Sequence, residues 1–421
     1  MIARYDVTCT GCGEGIRLRI SVGTEERQSF YLRCPQCSSV LRGALMMDQE
    51  AGAFTGLEID GQPAIPCEAS DDFVVNVFSD MPVDPAPVPM LVHGGSPFMM
   101  HQTNLGDAYD AWAGSRSQFL SLCRTDWANV RRWWGFYIRQ DWQRFDDHAQ
   151  KYWSDEWPEE PSLLQRHDAI HRALEVLFVP LFPRGQYVRW KKTIRAGMTE
   201  GSVKHLAMNA RSLLGETGAA RQDQLFSILE RYVELRWALL PGLLLEYYIA
   251  AGKEPDPAWR ITRDEYPELR DLYVSLFGHS HRQLPLVFGF ANAMAGRPPS
   301  GFPDGTVRRS SKLEQAKAYK KGALLKDFAP WGNELAEHLD RDLRNAIGHA
   351  DAHHDLENGR VAVVQGVSVP YSEFVLLVAR SVQVPLLCLD TIKMLRLFAA
   401  AGAGAAPDGA GRAPAERERP G

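Results

Sequence analysis

Apolar residues recur at steps of three and four positions over most of the chain from about residue 106 to residue 400. Such spacing places apolar side chains on one face of an α-helix. It is clearest in residues 162–182, 222–250, 265–277, 310–328 and 331–347. The alternation of period two that marks a half-buried strand is scarce in this region. The pattern therefore predicts a mainly α fold, built as a helical bundle.

Local signals predict where some helices end. The string Gly278-His279-Ser280-His281 predicts a turn between two helices. Asn358-Gly359, followed by short runs rich in valine, predicts a hairpin over about residues 360–370. A long helix over about residues 371–398 follows, with a kink near Pro385.

Four of the seven cysteines form two Cys-x-x-Cys pairs near the N-terminus. Residues 16–20 and 30–33, between and beside the pairs, have the alternation of short strands. Two such turns supply four thiolates, which is a closed tetrahedral set for a structural Zn²⁺. The predicted zinc ligands of this zinc ribbon are Cys9, Cys12, Cys34 and Cys37.

Composition and spacing divide the chain into five predicted regions. They are a zinc ribbon over residues 1–47, an extended Pro-rich connector with short strands over 48–105, a helical region of unknown role over 106–255, a helical domain with a hairpin over 256–400, and a disordered tail over 401–421.

The charge balance limits how the chain can contact nucleic acid. A net charge of −5 argues against coating of nucleic acid by bulk charge and restricts RNA to local basic stretches. The candidate RNA-binding cations are Arg189, Lys191 and Lys192 in one stretch and Lys317, Lys320 and Lys321 in another. Tyr187 and Trp190 lie within the first stretch, where they predict stacking platforms for bases.

The apolar segments predict neither a signal peptide nor a membrane span. The N-terminal residues lack an apolar run, and the apolar stretch over residues 374–398 is interrupted by charged residues, including Asp390 and Lys393. Together with the paired cysteines, which are typical of a reducing compartment, this predicts a cytoplasmic protein.

The string Asp342-Leu343-Arg344-Asn345-Ala346-Ile347-Gly348-His349 combines a permanent cation with a proton carrier. Arg344 and His349 are five positions apart, so they do not share a face of a continuous helix. The chain must leave helical geometry near Gly348 for the two side chains to meet, and glycine permits such an end.

This string resembles the Arg-x(4–6)-His motif of HEPN domains, a helical superfamily with many ribonucleases. The resemblance covers about residues 310–400 and implies a metal-independent endoribonuclease that acts as a toxin or antiviral effector. It implies that Arg344, Asn345 and His349 are catalytic, that two copies form a homodimer around one cleft, and that the products carry 2′,3′-cyclic phosphate and 5′-hydroxyl ends. It also leaves room for an antitoxin or another defence-system partner.

Other interpretations stay open at this stage. A catalytically inactive HEPN-like module could bind nucleotide or RNA, with the zinc ribbon as an adaptor that docks on nucleic acid or protein. A ribbon that contacts DNA is a further hypothesis. The histidines after the motif would form a metal site if His349 and His353 shared a helical face. His167 and His171 are one helical turn apart, and a packed helix is the simpler interpretation.

Overall fold

A computed structural model describes most of the chain. The described residues are 2–48, 50–64, 73–89, 96–183, 185–215, 218–301, 338, 341–348, 352–363 and 368–404. Helices make up most of them, and the N-terminal part is β. The mainly α fold with a small N-terminal β region is thus confirmed.

The N-terminal β region contains eight strands. They are β1 (Ile2–Thr8), β2 (Gly15–Ser21), β3 (Arg27–Arg33), β4 (Val40–Asp48), β5 (Ala53–Ile59), β6 (Gln62–Pro63), β7 (Phe73–Phe78) and β8 (Val88–Pro89). One sheet has the order β1-β2-β7-β8 and the other β3-β4-β5-β6, with β2 and β7 parallel and the other pairs antiparallel.

The β region continues past residue 47, where the cysteine spacing places the end of a ribbon. Strand β5 pairs with β4, and β7 pairs with β2. Inward-facing residues of the later strands, such as Leu57 and Val75, are buried in the same apolar cluster as Leu18 and Leu32. Residues on both sides of position 47 therefore build one core.

The helical part follows in chain order. Its helices are α1 (Pro97–Leu105), α2 (Asp107–Thr125), α3 (Trp127–Arg139), α4 (Trp142–Trp153), α5 (Leu163–Phe178), α6 (Gln186–Ala196), α7 (Glu200–Leu214), α8 (Gly218–Glu234), α9 (Arg236–Ala250), α10 (Tyr266–Met294), α11 (Arg341–Gly348), α12 (Tyr371–Ser381) and α13 (Gln383–Gly404). A three-stranded sheet of β9 (Ala352–Asp355), β10 (Arg360–Val363) and β11 (Ser368–Pro370) lies between α11 and α12.

Helices from both sides of residue 255 share one apolar core. Helix α13 packs against α7, and α12 packs against α9. The second contact is close: a Cβ at Gly242 would lie 2.8 Å from the backbone oxygen of Val375. A side chain there would force the two helices apart. The segments 106–255 and 256–400 therefore form one packed body in the described part of the chain.

One helix boundary differs from the sequence-based prediction, and one predicted kink is found close to its expected position. The turn predicted at residues 278–281 is wrong, because α10 runs unbroken through them, and glycine is tolerated inside a helix whose flanks are buried. The terminal helix is interrupted at Val382, three residues before Pro385. Pro385 cannot donate the backbone hydrogen bond that would join the two helices, which explains the position of the break.

Buried ion pairs fasten the β region to the helices. Arg263, just before α10, donates to Glu25 at 2.7 Å, and its side chain is only 4% exposed. Arg116 of α2 pairs with the buried Asp80. The backbone N–H of Tyr31 also donates to the carbonyl of Thr262 at 2.6 Å. The β region is thus held on the helical part by several linked contacts.

The C-terminal stretch Tyr371–Ala401 is apolar and long enough to cross a membrane, by length and composition alone. Within its most apolar window, 83% of the residues are buried inside the protein. Burial of that extent is typical of a helix at the centre of a packed core.

Candidate functional site

The four predicted metal ligands lie together at one end of the β region. Cys9 and Cys12 follow β1, and Cys34 and Cys37 follow β3, so that two turns face each other. All four sulfur atoms lie within 4.8 Å of one another. They form the one group of at least three metal-ligand side chains found among the described residues.

The sulfur spacing fits a metal better than a disulfide. Sγ of Cys9 lies 3.7 Å from Sγ of Cys37, and Sγ of Cys12 lies 3.8 Å from Sγ of Cys34. A tetrahedron with metal–sulfur bonds of about 2.3 Å has sulfur–sulfur edges of about 3.8 Å. A side chain at Gly11 would meet Oγ of Ser39 at 2.7 Å, so Ser39 would have to shift to admit it. The prediction that these cysteines can hold a metal ion is confirmed.

Helix α11 carries the arginine of the motif on its partly buried side. Leu343 and Ile347 are buried, which seats the helix against α10. The guanidinium of Arg344 lies over the ring of Phe277, 5.9 Å from its centre, and donates to Oδ1 of Asn345 at 3.3 Å. Nε of Arg344 is buried and has no hydrogen-bond partner among the described residues. This nitrogen is thus an unsatisfied donor in the described part of the chain.

The described part of α11 reaches Gly348, and the next described residue, Ala352, begins strand β9. The chain therefore leaves helical geometry before Ala352, as the motif requires. His349 lies outside the described residues, so the distance from Arg344 to its imidazole stays a prediction. Because residues 352–355 form a strand, His353 does not lie one helical turn beyond His349, and the alternative metal site loses its geometric basis.

The basic stretch of α6 is only partly exposed. Arg189 and Lys192 lie at the surface, but Nζ of Lys191 is 2.5 Å from Oε1 of Glu175. Tyr187 and Trp190 are buried in the core, so the prediction that they are stacking platforms is wrong. They lie on the buried, apolar face of α6 instead. Lys317, Lys320 and Lys321 lie outside the described residues.

A buried polar network lies behind α6, and its only sign in the sequence is that Asp390 and Lys393 interrupt an apolar stretch. Nδ1 of His171 is 3.6 Å from Oδ1 of Asp390, and the hydroxyl of Tyr187 donates to the same carboxylate. Nζ of Lys393 lies 3.7 Å from Asp390 and 3.3 Å from Asp168. These contacts join α5, α6 and α13 through one carboxylate.

The network shifts the pKa values of its members. Burial by itself would raise the pKa of Asp390, but His171 and Lys393 outweigh it and hold that pKa at about 2. Burial lowers the pKa of His171, and burial together with nearby cations lowers the pKa of His167 to about 3. Nδ1 of His167 also lies 2.5 Å from the hydroxyl of Tyr137. Both histidines are thus neutral members of the core near neutral pH.

The strand after the motif contacts the β region. Nδ1 of His354 lies 2.9 Å from Oδ1 of Asp264, and its ring stacks on Tyr371 and meets Tyr31 edge-on. Burial would raise the pKa of Asp264, but His354 and Arg42 lower it below its usual value. The β region and the segment that follows Arg344 are therefore in direct contact.

Comparisons with protein-family models, with curated proteins and with solved structures find no match to this chain. The architecture itself defines the class: a mainly helical protein whose N-terminal β region carries a four-cysteine group able to bind a metal ion.

Proposed function

We propose that this chain is a metal-independent endoribonuclease of the HEPN type, acting as a toxin or antiviral effector. The observation that carries the proposal is the placement of Arg344 and Asn345 on one helix, described up to Gly348, with His349 next in the sequence. The resemblance of the motif supplies the reaction class and the defence role. The following sheet and the helices α12 and α13 fit the expected order of elements.

The environment of Arg344 supports a role in binding phosphate. A buried donor without a partner costs about 1–3 kcal/mol, more when the group is charged. An anion that displaced the groups covering Nε would remove that cost. Phe277 restrains the guanidinium from one side, which reduces the entropy lost on binding. The scissile phosphate of RNA is an anion of the required kind.

The proposed reaction uses the side chains of two protomers. His349 takes the proton of the 2′-hydroxyl, whose oxygen attacks the adjacent phosphorus. The bond from phosphorus to the 5′-oxygen breaks, and His349 of a second copy protonates that oxygen. Arg344 stabilises the charge that develops on the phosphate, and Asn345 orients Arg344 through their hydrogen bond. The products are a 2′,3′-cyclic phosphate and a 5′-hydroxyl.

The metal has a structural role in this proposal. Four thiolates fill a tetrahedral Zn²⁺ and leave no open position for substrate. We therefore propose that Cys9, Cys12, Cys34 and Cys37 hold Zn²⁺ and stabilise the β region. That region supports strand β9, which follows the motif, through the contacts of His354.

The test is cleavage of total RNA by the purified full chain, with analysis of the product ends. We expect 2′,3′-cyclic phosphate ends and a rate loss of at least about a hundredfold for both Arg344→Ala and His349→Ala. Arg270→Ala is the matched control, since Arg270 pairs with Asp271 at the surface of α10. An RNA with a single 2′-deoxy substitution at the cut position should resist cleavage there.

Several outcomes would contradict the proposal. One is cleavage that persists in His349→Ala, and another is product with 3′-hydroxyl and 5′-phosphate ends. A wild-type protein that binds RNA and leaves it intact would instead favour the catalytically inactive RNA-binding or adaptor module.

A further inference from the structure

An open cleft lies between α2, α5 and α6. The residues that line it, 118 and 172–195, are distant in sequence from the Arg344 motif. Its volume is about 570 Å³, which is within the range of small-molecule sites. The turn over residues 179–181, after α5, closes one side. We name it the α5–α6 cleft.

The charged side chains of the cleft favour an anion. The cations that line it are Arg172, Lys191, Lys192 and Arg195, and the one lining carboxylate is that of Glu175. Lys191 already pairs with Glu175 at 2.5 Å, which leaves three cations around the opening. Arg172 is 3.6 Å from the exposed Glu156, a surface pair that contributes little. Cations from two helices thus converge on one volume.

The neighbouring wall of the cleft is apolar. Val176, Val179, Pro180 and Val188 line the same cleft. Val176 is 40% exposed, so it presents apolar surface to the cleft. An occupant with an apolar group would cover this wall while its anionic group met the cations.

The floor of the cleft is held in place by the buried network. Tyr187 is 2% exposed and donates its hydroxyl to Asp390, which itself lies beside His171 and Lys393. Lys191 lies between Glu175 at 2.5 Å and Asp390 at 3.8 Å. A floor fixed before binding lowers the entropy cost of capturing a ligand.

From these features we propose that the α5–α6 cleft binds a small organic phosphate, with the phosphate at Arg172, Lys192 and Arg195 and an apolar group against Val176. A phosphate dianion suits three converging cations better than a single carboxylate does, and arginine forks match its oxygens. This site is separate from Arg344 and His349, and it goes beyond the proposed ribonuclease activity.

The test is calorimetric titration of the full, metal-loaded chain with 1-naphthyl phosphate. We expect binding that is at least about tenfold tighter than that of 1-naphthol or of inorganic phosphate. The double variant Lys192→Glu/Arg195→Glu should weaken it by at least about tenfold. Lys204→Glu is the matched control, because Lys204 is exposed on α7 and does not line the cleft. Val176→Asp should weaken binding of 1-naphthyl phosphate more than that of inorganic phosphate.

Three results would overturn the inference. The first is no binding of 1-naphthyl phosphate at millimolar concentration. The second is equal binding of 1-naphthol, and the third is an equal loss in Lys204→Glu. If the double variant loses binding of a single-stranded RNA while wild type ignores the small phosphate, the cations serve RNA and the proposal is wrong. RNA cleavage is measured separately, by comparing wild type with Arg344→Ala. Its outcome does not depend on whether the cleft binds a phosphate.

Discussion

The four-cysteine group and the Asp390 network are both polar clusters held by several elements, yet they are organised in different ways. Each half of the cysteine group comes from one turn, with its ligands three positions apart. The Asp390 network joins α13 to α5 and α6, and Asp390 is about 200 positions from His171 and Tyr187 in the chain. The first needs local turn geometry and an ion, whereas the second needs the whole bundle to be packed. Stability of the two regions should therefore respond to different changes.

The largest expected effect is loss of the metal from the cysteine group. We expect Cys34→Ser to lose stoichiometric metal and to unfold the β region, because binding of a structural metal contributes free energy on the order of 10 kcal/mol. Metal content by mass spectrometry and thermal unfolding by circular dichroism measure both effects. Cys123→Ser is the control, since that thiol lies outside the group. Normal metal content in Cys34→Ser would refute a role for the four thiols.

A smaller effect is expected in the helical core. Asp390→Asn leaves Lys393 and Lys191 without their buried anion, and removing one member of a buried pair costs about 3–5 kcal/mol. Asp168→Asn is a matched control, because Asp168 pairs with the same Lys393 but its side chain is 59% exposed. That variant should lose less than about 1 kcal/mol. Urea unfolding measures the free energy of unfolding of the two variants. Equal losses of this free energy would mean that Asp390 does not hold the network together.

The smallest expected effect is a pH dependence that belongs to the helical core. The pKa of His167 is about 3 in the folded protein and near 6.5 when unfolded, so the unfolded state binds more protons between these values. Stability should fall as pH is lowered from about 6.5 towards 3, by up to about 1.4 kcal/mol per pH unit for this group.

Comparison of two histidine variants measures that contribution. His167→Gln should flatten the dependence of the unfolding free energy on pH between about pH 6.5 and 4. His353→Gln, at an exposed position, should leave the slope unchanged. An unchanged slope in His167→Gln would show that this histidine is not held neutral in the folded protein.

Local patterns predicted local structure well. The spacing of the cysteines predicted their grouping, and the apolar periodicity predicted the described helices, because both depend on neighbours within one turn. The helices predicted over residues 310–328 and over most of 331–347 lie outside the described residues. The hairpin predicted over residues 360–370 corresponds to β10 and β11, which pair antiparallel. Gly359, with a φ of +61°, lies instead in the turn between β10 and β9, a strand that the sequence analysis did not predict. The predicted turn at residues 278–281 failed because burial along α10 outweighs the low helix propensity of one glycine.

The sequence by itself determined the helical class and the four-cysteine group, since each depends on residues a few positions apart. Only the tertiary structure decided that Tyr187 and Trp190 are buried and that Lys191 is engaged with Glu175. The charged Asp390 and Lys393 in an apolar helix indicated that each must have a partner. The neighbouring sequence did not show which residues those partners are. The reason is physical: a buried charge is stabilised by whichever groups the fold brings within a few ångströms, and distance along the chain does not limit that choice.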